Sequence, residues 1–147
     1  MALLDADAVT ESPAVAIGRL AWAGPLTVIT SIAAVHLVRQ IVIRLPHIRA
    51  GSAVFGILPV TVDTAVLCTI AVFTFGLLSA FHDDAIRRFR WIAFGALLVS
   101  FLPLVHFPEL GNVPTAVAVG SMHVAAYVPC VTLLPWACRA AAQDPAG

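Results

Sequence analysis

Lysine is absent from this chain, and all eight of its cations are arginine. Eight carboxylates balance them to a formal net charge of +0, so no basic field exists to attract nucleic acid. Charge of either sign is scarce, at 11% of residues against a usual ~25%. A domain of 147 residues has a large surface to cover with polar groups, and so few charges argue against a water-soluble globule. Cysteine is also sparse. Cys68, Cys130 and Cys138 are an odd number without short spacing, which excludes a disulfide framework and a Cys-x-x-Cys redox or metal motif. They read as small apolar packing residues. Hydrolase, phosphate-loop and dinucleotide motifs are missing. No short-spaced His/Cys/Asp set supports zinc or another metal. Catalysis therefore has no sequence signature, and the balance falls against an enzyme.

Apolar residues make up 61% of the chain against a usual ~45–50%, and mean hydropathy is +0.98. Four apolar runs carry this excess: Leu20 to Ile43, Val60 to Phe81, Trp91 to Phe107, and Thr115 to Cys138. Each approaches the ~20 residues with which a helix crosses ~30 Å of hydrocarbon. None alternates with the two-residue period of a barrel strand. The sequence thus predicts an all-α, polytopic membrane protein with four transmembrane helices in an up-down bundle. Residues 1–19 are expected to form a short polar tail, because Asp5, Asp7 and Glu11 make them unlike the positive start of a secretion signal. Residues 139–147 are expected to form a C-terminal tail.

The breakers between spans fit this division. They are Arg44-Leu-Pro46-His47-Ile-Arg49, then His82 to Arg90 with its Arg-rich turn, then Pro108-Glu109-Leu-Gly111-Asn112-Val-Pro114. Arg19, Arg87, Arg88, Arg90 and Arg139 would share the side of both termini, against Arg39, Arg44 and Arg49 on the other. That majority places both termini in the cytoplasm. Trp22, Trp91 and Trp136 fall near span ends on that same side, as an aromatic belt does. Gly76 with Ala80, and Ala116 with Gly120, are small pairs four apart that permit close helix approach. Ala50 to Pro59 is apolar but too short to span, and reads as an interfacial or re-entrant turn or an early start to the second helix.

Polar side chains inside a membrane are costly, so they are where function is sought. His36, Asp63, His106 and His123 lie within or at the ends of spans, all toward the side opposite the termini. His36 and His123 fall roughly 10 Å below that surface at 1.5 Å per residue. His36, Arg39, Gln40 and Ile43 share the spacing of one helix face, and His123 with Tyr127 forms a second short polar face. Asp63 is the acid within a span, and Arg39 is its expected countercharge. The candidate polar cluster is therefore His36, Arg39, Asp63, His106, His123 and Tyr127. In the leading reading these groups hydrogen-bond internally and fix helix register. In the alternative, His36 and His123 hold a cofactor, either haem iron or a quinone. A small transporter or proton path through Asp63, His36 and His106 ranks third, because neither broken helices nor repeat symmetry is evident.

Phe89-Arg90-Trp91-Ile92 through Leu98-Val99-Ser100-Phe101-Leu102-Pro103, followed by Gly120-Ser121-Met122-His123-Val124-Ala125-Ala126, resembles a family of small four-helix bacterial membrane proteins of the actinobacterial type, a domain of unknown function. The shared features are an Arg-rich turn, a Ser-x-x-Pro in the third helix and a Met-His near the start of the fourth. The resemblance spans about residues 18–138 and implies four spans in a bacterial cytoplasmic membrane, with His123 singled out and no activity attached. The expected role is a non-catalytic accessory or scaffold subunit. Its partners would be membrane lipids and another membrane protein or a second copy of itself, with no nucleic acid.

Overall fold

Pro13 opens the first helix, where its fixed φ and missing N–H suit the first turn. The computed structural model describes residues 13–46, 48, 55–102 and 113–139, with side chains described from Gly18 to Ala137 within those ranges. These residues form an all-helical bundle: α1 (Pro13–Val42), α2 (Ile57–Phe81), α3 (Ala85–Ser100) and α4 (Val113–Arg139). Three segments are long and apolar enough to cross a membrane, Gly18–Val42, Ile57–Phe81 and Val113–Ala137. Their outer faces are rich in large apolar side chains, among them Leu37, Leu58, Phe73, Leu77 and Val117. So much exposed apolar surface is unfavourable against water and natural against lipid tails.

Three boundaries differ from the sequence expectation. One is the end of α3, which falls at Ser100 with Phe101 as its C-terminal cap rather than at Phe107. Helix α1 begins at Pro13, inside the expected polar tail, rather than at Leu20. Helix α3 begins at Ala85 rather than Trp91, so Arg87, Arg88 and Arg90 are helical and the turn shrinks to His82, Asp83 and Asp84. The cause lies in Asp84. Its carboxylate accepts hydrogen bonds from Arg87 at 2.7 Å and Arg88 at 2.5 Å, the three- and four-residue spacings that meet on a helix surface. The described length of α3 is 16 residues, or roughly 24 Å, which is shorter than the hydrocarbon layer. The expected polar tail before Pro13, His47, Arg49, Ala50 to Val54, the stretch from Pro103 to Asn112 with His106 and Glu109, the C-terminal tail and the side chain of Cys138 lie outside the described residues.

Helix α1 is the central element, packing most extensively against α4 and α2, while α3 lies at the edge against α2 and α4. The core divides into layers. One, at the end of α1 and the starts of α2 and α4, joins Val35, Val42, Phe55, Val60, Ala118, Val119 and Met122. The other, at the opposite end, joins Phe75, Phe89 and Leu134, with Leu20, Val72 and Leu78 packed around them. Phe75 and Phe89 meet edge-on with ring centres 5.0 Å apart, which anchors α3 to α2. Trp22, Trp91 and Trp136 project outward near this layer. Between the two layers sits a narrow polar waist. Ser31 Oγ donates to the Ala126 carbonyl at 3.2 Å and lies 3.9 Å from Cys130 Sγ, which is 3.6 Å from Cys68 Sγ. Thr27, one turn before Ser31, is fully buried with its hydroxyl unpartnered.

Close approach between α1 and α2 depends on glycine. A Cβ at Gly24 would stand 2.9 Å from Val72 Cγ1, and one at Gly76 would stand 2.7 Å from Leu20 Cδ2. The two contacts differ in how easily they yield. A helical valine has essentially one side-chain rotamer, whereas the end of a leucine can swing away. Gly24→Ala is therefore expected to cost about 1–2 kcal/mol, overpacking exceeding the gain in helix propensity. Gly76→Ala should be close to neutral. Thermal unfolding of the two variants in detergent distinguishes them, and equal losses would refute the rotamer argument.

The Asp84 pairs make the start of α3 sensitive to pH. Hydrogen bonds from Arg87 first, and Arg88 next, hold the Asp84 carboxyl below its ordinary value. A value lower in the folded than in the unfolded chain means that the pairs stabilise the fold above the unfolded-state value. That contribution is lost as pH falls through the folded value. Asp84 is solvent-accessible, so the effect should be small and weakened by salt. Carboxyl NMR should give Asp84 a titration midpoint below 3.8, and a midpoint at or above it would show that the pairs do not form.

Candidate functional site

The polar cluster expected from sequence is gathered in part. His36, on α1, places Nε2 2.8 Å from Thr61 Oγ1 of α2. Thr61 in turn donates to the Ile57 carbonyl one turn back, at 2.8 Å. A hydroxyl has one hydrogen, so His36 is the donor and carries a proton on Nε2. The bond ties the last third of α1 to the first turns of α2.

Arg39 lies one turn further along α1 and is only 8% exposed. Its Nε–H donates to the Phe55 carbonyl at 2.6 Å. Phe55, just before α2, is buried in the same layer as Val35, Val42 and Met122. Arginine and phenylalanine together thus pin the chain entering α2. Part of the apolar Ala50–Pro59 stretch is thereby accounted for. Phe55 is core and Gly56 is the N-terminal cap residue of α2, with the helix starting at Ile57.

Arg39 does not pair with Asp63. Among the described residues no ion pair joins them, and Asp63 is exposed. Helix geometry explains the correction. The packing face of α2 runs through Val60, Thr64, Cys68 and Phe75, and at 100° per residue Asp63 lies roughly a third of a turn away from it. The expected stripe on α1 divides for the same reason. Arg39 turns into the core, Gln40 is exposed, and Ile43 lies beyond the helix end.

On α4, His123 Nδ1 lies 2.8 Å from the Val119 carbonyl of its own helix, so that nitrogen is the donor. Its ring centre is 6.1 Å from that of Phe101, at the end of α3. His123 follows Met122, and His36 follows Val35, so both histidines flank one core layer. They are committed to different neighbours, however. The Nε2 of His36 is engaged by Thr61, whereas the Nε2 of His123 retains its lone pair. A backbone carbonyl holding Nδ1–H is the arrangement that orients a ligating histidine. Tyr127 is half-buried one turn further on, and His106 lies outside the described residues. No group of three or more His, Cys, Asp or Glu that could hold a metal occurs among the described residues.

Several contributors escape the sequence reading. Thr61, Phe55, Ser31, Thr27 and the Cys68–Cys130 contact carry much of the polar organisation. The signal for some of them lies in α1, where Ala23, Thr27, Ser31, Val35 and Arg39 recur every fourth residue and are all buried. Set against protein-family models, curated proteins and solved structures, the chain matches none of them. Function must be argued from the site itself.

The new partner of Arg39 reverses the expectation for Asp63. Asp63→Asn should change thermal stability by no more than about 0.5 kcal/mol, as for a residue outside the core. Arg39→Gln should cost about 1–3 kcal/mol through the Phe55 carbonyl left without its donor. The double variant should be additive. Rescue of Arg39→Gln by Asp63→Asn would restore the ion pair.

Proposed function

We propose that this chain is a non-catalytic integral membrane protein of four spans in an up-down bundle. It packs against another membrane protein or complex as an accessory or scaffold subunit. The bilayer would be a bacterial cytoplasmic membrane, with both termini on the cytoplasmic side. The four-span reading takes α3, Ala85–Ser100, as a short third span. The up-down reading draws on contacts that join late α1 to early α2, late α2 to early α3, and late α1 to early α4.

The observation that carries the accessory role is the outer face of α3. This helix is short, sits at the edge, and leaves Trp91, Ile92, Phe94, Leu98 and Val99 exposed. A short apolar helix is mismatched to the bilayer, and association with another membrane helix relieves the mismatch. The interior supports the same reading. His36, Arg39, Ser31 and Thr61 each make bonds that hold helices or their connections together, which is structural work.

Native nanodisc extraction followed by mass measurement tests the role. The wild type should retain a partner at fixed stoichiometry, and Phe94→Ala with Leu98→Ala should release it without lowering the melting temperature. A homogeneous monomer in native nanodiscs would overturn the proposal. One observation favours the cofactor alternative, namely the free Nε2 lone pair of His123. A Soret band in purified protein that disappears in His123→Ala would establish that alternative instead.

A further inference from the structure

We propose that Arg39 is the headgroup site for one acidic phospholipid, whose phosphate it holds while an acyl chain enters the neighbouring apolar cavity. The inference rests on the membrane reading of α1, α2 and α4, and is independent of the accessory role.

Arginine keeps its charge at any accessible pH, so a buried guanidinium needs a countercharge. Among the described residues the acids are Asp63, Asp83 and Asp84. Asp63 faces away, and the other two form the turn between α2 and α3 at the opposite end of α1. The donors of Arg39 are only partly used. Its Nε–H serves Phe55, and its terminal amino groups bond to no described residue. Arg39 keeps 8% of its surface exposed, so its head is not fully sealed from the surroundings. A guanidinium fork with free terminal amino groups matches two phosphate oxygens.

The cavity supplies the rest of the ligand. It has a volume of about 390 Å³ and lies at the same end of the bundle. Val42, one turn beyond Arg39, lines it with Leu45, Val117 and Ala118, and Ser121 is its polar edge. That volume falls within the ~300–1,000 Å³ of small-molecule sites. The hydroxyl of Ser121 is already given to the Ala118 carbonyl, so the lining offers carbon to its occupant. Arg39 stands three residues before the end of α1, where a membrane helix meets phosphate groups. A free anion would use the arginine and leave the cavity without a role, whereas a phospholipid uses both.

The test compares nanodiscs of phosphatidylcholine alone with nanodiscs containing added phosphatidylglycerol, reading melting temperature and retained lipid by native mass spectrometry. Phosphatidylglycerol should raise the wild-type melting temperature by several degrees and remain bound as one copy. Arg39→Gln should lose both effects, and Arg39→Lys should keep part of them. Ser121→Leu, which fills the cavity and leaves Arg39 intact, should also lose the retained lipid. This variant decides the matter if Arg39→Gln does not fold. Glu109, outside the described residues, is the competing countercharge. A wild type insensitive to phosphatidylglycerol, with sensitivity appearing in Glu109→Gln, would overturn the proposal. So would an equal response in wild type and Arg39→Gln, or the full shift from inorganic phosphate in phosphatidylcholine discs. Failure of the membrane reading has a separate signature, a protein that stays monodisperse without detergent or lipid.

Discussion

One face of α1 must be narrow enough for two helices to seat against it, and the rest of the bundle follows from that constraint. Ala23, Thr27, Ser31 and Val35 keep the face slim along most of its length. Gly24 extends the slimness toward α2, where even a methyl group would strike Val72. Between membrane helices burial of apolar surface supplies little drive, so contact depends on how closely backbones approach and which hydrogen bonds they share. Ser31 meets both requirements, being small enough to admit α4 and able to donate to its Ala126 carbonyl. Pro129, which cannot donate a backbone hydrogen bond to the preceding turn of α4, is buried beside this contact.

Charge is arranged around the same helix in two different ways. At the α2–α3 turn, Asp84 and two arginines meet in water, where each pair contributes little and salt weakens it further. At the other end of α1, Arg39 is buried and works through its shape as much as its charge, holding the Phe55 carbonyl while its stem packs in the core. The first arrangement orients a helix start. The second fixes the route by which the chain enters α2.

Much of this architecture is legible in the sequence because apolar run length is a strong signal. The ends of α2 and α4 fall within a few residues of the expected spans. The start of α3 is hard to read because three arginines resemble a solvated turn, although arginine is a good helix former and Asp84 is spaced to pair with two of them. Of the expected polar cluster, His36 and Arg39 face the interior, Asp63 is exposed, and the pairings differ from those the sequence suggests. The expense of exposing His36 and Arg39 to lipid tails predicts only that they face partner helices or the interface. Which groups they would meet depended on the rotation of α2 about its own axis, and a linear sequence does not contain that angle. The same rotation that carries Thr61 toward His36 carries Asp63 away from Arg39. Ser31 and Thr27 carry no signal singly, because hydroxyl residues are ordinary in a membrane segment; only their place in the buried every-fourth-residue series marks them.

The thiol and hydroxyl groups at the middle of the bundle have a consequence for how the molecule yields. Cys68 and Cys130 are 3.6 Å apart, a contact of soft, polarizable atoms between two well-interlocked apolar layers. Contacts of this kind are individually weak, so the waist yields at little cost. Close packing in the two apolar layers carries most of the hold between the helices.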